Sequence, residues 1–473
     1  MSLSKQFAWS LNDLLNSVDG ELIGAIDTDD QVQFSSVSTD TRSLQPGALY
    51  IAIKGDNFDG HQFIPQAIQQ GAVAVLVSDE IDAIVPGVLV EDTRIALGQF
   101  AKWHRQQMPV KTLVAVTGSN GKTTNKMLML NIFDKIGKTL ATEGNLNNDF
   151  GVPRTLLNLR PEHEFAIIEM GANHPHEIGY LTALAQPDIA LITNASGAHL
   201  EGFGSLQGVI NTKGEIFQGL NQRSENQSGT AIINTDSNGY QDWLGMIAEL
   251  GINQLKTFGM QSQADIAISN FASTESGIEF DLVVDGQKHS VTMPVLGQHN
   301  AYNAAACTAV ALSAGLDWSQ ISLGLQTFTG VAGRLQRQPI QSGWLIDDSY
   351  NANPESVKAG INALVGLAGE SILCLGAMAE LGETALQMHQ EVATYAKEQG
   401  VSYLFAYGKG AEQMPESFGQ QSAFFESHEK LSEKVIEILA QKNEQNLKLN
   451  VLVKGSRSAQ MELITQAIIS SES

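Results

Sequence analysis

Cysteine is nearly absent from this chain. Only Cys307 and Cys374 occur in 473 residues, each inside an apolar run, AAACTAV and SILCLGA. That excludes a disulfide framework, and both read as reduced core residues. No apolar run approaches the roughly 18 residues of a membrane-spanning helix. The opening segment MSLSKQFAWSLNDLL lacks the charged, then apolar, then small-residue layout of a signal peptide, so a cytoplasmic location is expected. Basic residues are scarce: 28 Lys and Arg stand against 51 Asp and Glu, a net charge of −23. Nucleic-acid binding needs a basic face and is disfavoured. An anionic small ligand stays open, because a pocket can be locally positive. Internal repeats, low-complexity tracts and long disordered linkers are also missing. The 43% of hydrophobic residues is ample for buried cores, and the length suits about three domains.

Against that background one segment stands out. Thr117-Gly118-Ser119-Asn120-Gly121-Lys122-Thr123-Thr124 follows an apolar run, Thr112 to Val116, and precedes a helix-like stretch beginning at Lys126. Strand, glycine-rich turn and helix make a phosphate cradle. Backbone N–H groups wrap the phosphates, the lysine adds a point charge, and a threonine hydroxyl can bind Mg²⁺. The general pattern places another glycine five positions before Gly121, where this chain has Val116.

The pattern divides the chain into an α/β protein of three units, at 1–85, 86–330 and 331–473. The first is a small α/β domain with apolar runs at Ala48–Ile53 and Ala72–Val77. The second has strand candidates Thr112–Val116, Phe165–Glu169, Ile189–Thr193 and Ala231–Asn234, separated by helical stretches. That arrangement predicts a mainly parallel sheet covered on both faces. Alternation over Asp265–Pro294 predicts a β-rich insert, and an alanine-rich helix follows at Asn300–Ala314. The third unit alternates strands and helices as a second doubly wound, Rossmann-like fold.

Ligands of open parallel sheets bind beyond the carboxyl ends of the strands. Glu169 ends one strand there and, with Thr124, offers hard oxygen ligands for Mg²⁺. His199 follows the next strand. The amide-rich loop carrying Asn145, Asn147 and Asn148 can face the same place, as can Asn300 in Gly297-Gln298-His299-Asn300. Arg334, beside Gly333 at the unit junction, suits charge stabilisation of a phosphoryl group, although a plain linker arginine fits too. Asp348 ends a strand of the third unit. Lys454 and Arg457 close the last strand as the strongest basic spot in the chain.

Together these segments resemble the Mur ligase family. The similarity runs over essentially the whole chain, through STDTRSLQPGALYIAIKGDNFDGHQF from Ser38, TGSNGKTT from Thr117, GNLNNDFGVPRTLL from Gly144, EMGANHPHEI from Glu169, AHLEGFGSL from Ala198, GQHNAYNAAA from Gly297, DDSYNANPESV from Asp347, GAMAELGETALQMH from Gly376 and VKGSRSAQME from Val453. One departure is Asn125, where a third threonine is expected. The resemblance implies a UDP-sugar-binding N-terminal domain, a central ATPase and a Rossmann-like C-terminal domain. It implies ATP and Mg²⁺ as cofactors, UDP-MurNAc-tripeptide and D-Ala-D-Ala as substrates, and a monomer. By the same resemblance Gly118 to Thr124, with Lys122 foremost, bind ATP. Asn300 takes its adenine side, Arg334 its phosphates and Asp348 its ribose. Thr124, Glu169, His199 and Lys213, the last as a CO₂-derived carbamate, hold Mg²⁺. Ser38, Thr39, Asp40, Thr41 and Arg42 lie in the UDP-sugar region. Another ligase of the same chemistry is the nearest alternative, either the third-residue-adding Mur ligase or a folylpolyglutamate synthase. The latter is expected to lack the first unit. A protein using ATP only to change shape is the rival from another class. The third unit is expected to move about Gly330 and Gly333, open without ligands and closed with them.

Overall fold

The computed structural model describes residues 7–24, 32–55, 58–81, 85–197, 200–220 and 229–472. Among these, no helix is long and apolar enough to cross a membrane.

The described residues build three large sheets. The first has five strands in the order Gly20–Ile23, Gly87–Val90, Ala74–Val77, Ala48–Ile51 and Ser36–Ser38. All its pairs are parallel except Gly20–Ile23 with Gly87–Val90. Gly87–Val90 therefore belongs to the first sheet, although a division at residue 85 assigns it to the central unit. The signal was ambiguous because helix Thr93–Gln107 follows at once and packs on the central unit.

The central sheet has nine strands, ordered Thr139–Ala141, Phe165–Glu169, Thr112–Thr117, Ile189–Ile192, Thr230–Asn234, Gln254–Gly259, Ile266–Thr274, Gly277–Val284 and Gln287–Met293. It is parallel up to Ile266–Thr274, and the last two pairings are antiparallel. The expected insert is this antiparallel extension. Residues of the strand Thr112–Thr117 alternate between two cores. Leu113 and Ala115 join the cluster with Leu97 and Phe100. Val114 and Val116 join the one with Leu128, Ile132 and Phe133. Burial on both faces is why the strand reads as one continuous apolar run. Val116 is still inside the strand, in register with Glu169, so no glycine is needed there.

The third sheet has six strands, in the order Gln336–Ile340, Gly343–Asp348, Leu449–Lys454, Glu370–Gly376, Tyr403–Tyr407 and Ser422–Phe425. Only the first pair is antiparallel. The edge strands Gln336–Ile340 and Ser422–Phe425 escaped the sequence reading because their residues are mostly polar or half-exposed.

His104 ties the N-terminal segment to the central unit. Trp9 Nε1–H donates to its Nδ1 at 2.9 Å, and its Nε2 meets Leu159 C=O at 3.0 Å. The indole can only donate and the carbonyl can only accept, so the imidazole is neutral with its proton on Nε2. Burial pushes it down from 6.5 to about 4. The unfolded chain takes up this proton near 6.5, whereas the folded chain resists it until about 4. The contribution to stability is therefore complete above 6.5 and is lost as pH falls towards 4, about 3 kcal/mol in all. Urea unfolding from pH 7 to 4 should show a shallower pH slope for His104→Asn than for the parent. Equal slopes would contradict the assignment.

Candidate functional site

A cavity of about 850 Å³ opens at the carboxyl ends of the central strands. Its position follows from the strand order. Thr112–Thr117 lies between Phe165–Glu169 and Ile189–Ile192, where successive connections diverge to opposite sides of the sheet.

The helix after the turn starts at Lys122, four residues earlier than its apolar pattern suggests, with Gly121 at its N-cap. Gly121 has φ +84 and Gly118 has φ +148. A Cβ on Gly118 would lie 1.9 Å from Thr193 Oγ1, so only glycine fits there. The next strand end braces the turn. Thr193 Oγ1 donates to Asn120 O at 2.6 Å, Asn120 N–H donates to Asn194 Oδ1 at 3.0 Å, and Ser196 N–H donates to Ser119 Oγ at 3.0 Å. Lys122 folds over the turn and donates to Gly118 O at 2.6 Å. Burial lowers the ammonium's pKa, while Glu169 opposes that shift.

Glu169 is the acidic centre, only 2% exposed. Its Oε1 accepts from Asn147 Nδ2 at 2.9 Å and from Thr123 Oγ1 at 3.2 Å. Its buried Oε2 has no hydrogen-bond partner, and the Lys126 ammonium lies 3.4 Å away. A partly unsatisfied carboxylate beside a hydroxyl suits a hard divalent cation such as Mg²⁺. The hydroxyl beside Glu169 is that of Thr123. Thr124, expected as a Mg²⁺ ligand, is one helical position further, buried, and also lines the cavity. His199 falls outside the described residues.

Lys213 is buried in the last turn of helix Leu206–Gly214 and is not among the cavity-lining residues. Burial and repulsion from Lys122 push it down to about 7, against the pull of Glu177 and Glu215.

The third unit already stands over the cavity. Arg334 Nη2–H donates to Thr123 Oγ1 at 2.9 Å, and the guanidinium lies 4.4 Å from the Tyr350 ring centroid. Asn353 Nδ2–H donates to Asn120 Oδ1 at 2.8 Å. Lys454 donates to Asp348 Oδ2 at 2.6 Å and to Asn351 O at 3.0 Å. Burial pushes the Asp348 carboxyl up, although Lys454 pulls it the other way. Gly330 and Gly333 both hold left-handed backbone at the junction, with φ +91 and +69.

Gly121, Ser119, Asn120, Lys122, Thr123, Thr124, Asn145, Asn147, Asn148, Glu169, Asn300, Arg334, Asp348 and Lys454 all line this one cavity. Gly118 shapes it from the turn behind. Arg457 does not join them: it pairs with Glu462 at 2.8 Å on the surface. Ser38, Thr39, Asp40, Thr41 and Arg42 also lie elsewhere, on the first unit. There Asp40 caps a short helix and pairs with Arg42 at 2.7 Å, and that hydrogen-bonded guanidinium holds its carboxyl down at about 2. A second polar cluster, Asp59, His61 and Asp79, is closed on itself. His61 Nε2 accepts Ser78 N–H at 2.9 Å, and Lys54 holds Asp79 at 3.1 Å.

Sequence reasoning missed Lys126, which carries an ordinary helix-surface signal that only the fold turns inward. Asn303 and Asn353 fall in segments that read as ligand-facing, 297–304 and 347–354, and both line the cavity.

Three family models match the chain: "Mur ligase family, catalytic domain" at residues 33–105, "Mur ligase middle domain" at 116–311 and "Mur ligase, glutamate ligase domain" at 333–457. The chain is 40% identical over 461 residues to the UDP-N-acetylmuramoyl-tripeptide–D-alanyl-D-alanine ligase of Escherichia coli, covering 97% of this chain and 98% of that one. A crystal structure of MurF from Acinetobacter baumannii superposes with a TM-score of 0.89 at 30% identity, covering 98% and 99%. The MurF ligase of Thermotoga maritima, solved in complex with ADP, shares the fold with a TM-score of 0.81 at 24% identity, covering 92% and 97%.

Proposed function

The chain belongs to the Mur ligase family, and from that premise we propose that it is an ATP-dependent amide ligase joining D-Ala-D-Ala to UDP-MurNAc-tripeptide. The product is the UDP-MurNAc-pentapeptide precursor of peptidoglycan. ATP and Mg²⁺ are the cofactors. The reaction belongs in the cytoplasm and the working unit is a monomer. The observation that carries this reading is the convergence of turn, Glu169, Arg334, Asp348 and Lys454 on one cavity from two units.

A carboxylate is a poor electrophile because its leaving group would be oxide. Transfer of the γ-phosphoryl group gives an acyl phosphate, whose leaving group is phosphate. The D-Ala-D-Ala amine then attacks the acyl carbon, and the tetrahedral adduct collapses to amide and phosphate. The protein's work is to position both reactants and neutralise phosphate charge. Lys122 and the turn's N–H groups grip the phosphates. Arg334, anchored on Thr123 and Tyr350, adds a second cation from the third unit. Asp348 takes the ribose and Asn300 the adenine side. Asn145, Asn147, Asn148 and Lys454 serve the substrate side, and Ser38 to Arg42 grip the UDP-sugar. Thr124, Glu169, His199 and a carbamylated Lys213 would hold Mg²⁺, which would neutralise phosphate charge when bound. Near neutral pH a large share of Lys213 is the free amine. That is the form whose lone pair attacks CO₂, releasing a proton and leaving an anionic carbamate.

The cavity contains no nucleic-acid-like basic face, and its acidic, amide-rich lining suits catalysis more than a nucleotide switch. The test is phosphate release from ATP. Release should require both the UDP-MurNAc-tripeptide and D-Ala-D-Ala, with one amide formed per phosphate. Equal release without either substrate would sink the reading.

A further inference from the structure

Asn125 occupies the position where the resemblance leads one to expect threonine. It is fully buried on the second turn-facing position of helix Lys122–Phe133. Its Nδ2 donates to Gly121 O at 2.9 Å and to Asn303 Oδ1 at 2.7 Å. Asn303 Nδ2 donates to Asn300 Oδ1 at 2.9 Å, and Asn300 Nδ2 donates to Leu296 O at 2.8 Å. Cys307 Sγ donates to Asn125 Oδ1 at 3.3 Å.

The direction of this amide chain is forced. Both ends are backbone carbonyls, which only accept. The amide nitrogens of Asn125 and Asn300 must therefore face Gly121 O and Leu296 O. Asn303, between them, must accept from one and donate to the other. Threonine at this position could make only one of Asn125's two donated bonds, because its single hydroxyl proton serves one acceptor, not two.

The chain spans two ligand-facing elements. At one end Gly121, the N-cap of the phosphate-facing helix, lies directly beneath it. A Cβ there would lie 2.9 Å from Asn303 Oδ1. At the other end is Leu296, whose side chain packs among Leu335, Ile346 and Ala352 of the third unit. Helix His299–Ser313, which carries Asn300 and Asn303, supplies much of the cavity wall between those ends.

We propose that Asn125 and Asn303 are positioning residues that lock the phosphate turn and helix His299–Ser313 at one spacing, so that a nucleotide is gripped at its phosphates and its base together. The inference rests on the reading that Asn300 faces the base. Their side-chain amides are spent on each other, on Gly121 O and on Asn300 Oδ1. The turn itself is independently braced by Thr193, Asn194 and Ser196. Loss of the chain therefore loosens the spacing and leaves the phosphate grip largely intact.

The test compares Mg²⁺-bound ADP, which reaches both ends, with Mg²⁺-bound tripolyphosphate, which reaches one. In calorimetric titrations Asn125→Leu should bind ADP about tenfold more weakly, since one buried polar contact is left unmet. Tripolyphosphate affinity should change by no more than about twofold, within the reach of a surface-level effect. In turnover, KM for ATP should rise by a factor like that for ADP, with kcat and KM for the UDP-sugar substrate nearly unchanged, the signature of lost ground-state binding. Asn125→Thr, which keeps one donor, should fall between, and it remains informative if the leucine variant fails to fold. Asn303→Leu combined with Asn125→Leu should cost about as much as the worse single change, because one chain is broken once. Equal losses for ADP and tripolyphosphate, or additive single effects, would overturn the proposal. Asn300→Ala is judged apart. If it leaves the ADP–tripolyphosphate difference intact, the base-side role of Asn300 falls, while the Asn125 and Asn303 variants still decide the chain.

Discussion

Lys122→Ala should abolish product formation while the protein stays folded. The lysine leaves no apolar core when truncated: its ammonium reaches over the turn to Gly118 O, and Glu169 and Arg334 are its charged neighbours. What disappears is a cation aimed at phosphate oxygens as charge shifts during transfer. Removing one such electrostatic contact costs about a hundred- to a thousandfold in kcat. A coupled phosphate assay at saturating ATP, beside a thermal melt, checks both halves of the expectation. Near-normal turnover would show that the turn does not serve as a phosphate cradle.

Lys213→Ala should cost a comparable factor for a different reason. The alanine variant loses an anion, not a cation, if the amine carries a carbamate. Millimolar acetate or formate should then restore part of the activity by supplying a carboxylate at the vacated place. Labelled CO₂ gives a readout independent of turnover: ¹³C resonance of the parent protein should show a carbamate that the variant lacks. The chemistry also sets a pH dependence. With the amine pushed down to about 7, carbamate formation should persist at neutral pH, where an ordinary exposed lysine is almost wholly protonated. Wild-type activity in the variant, or no labelled carbamate in the parent, would make Lys213 merely a buried structural lysine.

Much of the site was legible because the chemistry demands unusual residues at strand ends. A glutamate closing an apolar strand, a glycine-rich turn before a helix and an asparagine-rich loop cannot be explained by packing alone, and all three line the cavity. The parallel strands were legible for the opposite reason: double-sided burial leaves them uniformly apolar. What escaped were features that depend on tertiary approach. Nothing local distinguishes Lys126 from a solvated helix lysine, yet it is fully buried against Glu169. That Thr123, and not only Thr124, lies beside Glu169 also depends on where the helix starts, which cannot be read to the residue. Arg457 reads like Lys454 in sequence, but the short helix Arg457–Ala459 turns it out to Glu462. The expected open resting form also gains a counterweight here, since Asn353 and Arg334 already bridge to Asn120 and Thr123.

The most direct measurement follows one oxygen atom. If the substrate carboxylate is activated as an acyl phosphate, amide formation must leave one carboxylate oxygen on the departing phosphate. UDP-MurNAc-tripeptide labelled with ¹⁸O in its terminal carboxylate, turned over with ATP and D-Ala-D-Ala, should yield inorganic phosphate carrying one ¹⁸O per amide formed, read by mass spectrometry. Phosphate free of label, with amide still produced, would contradict the account.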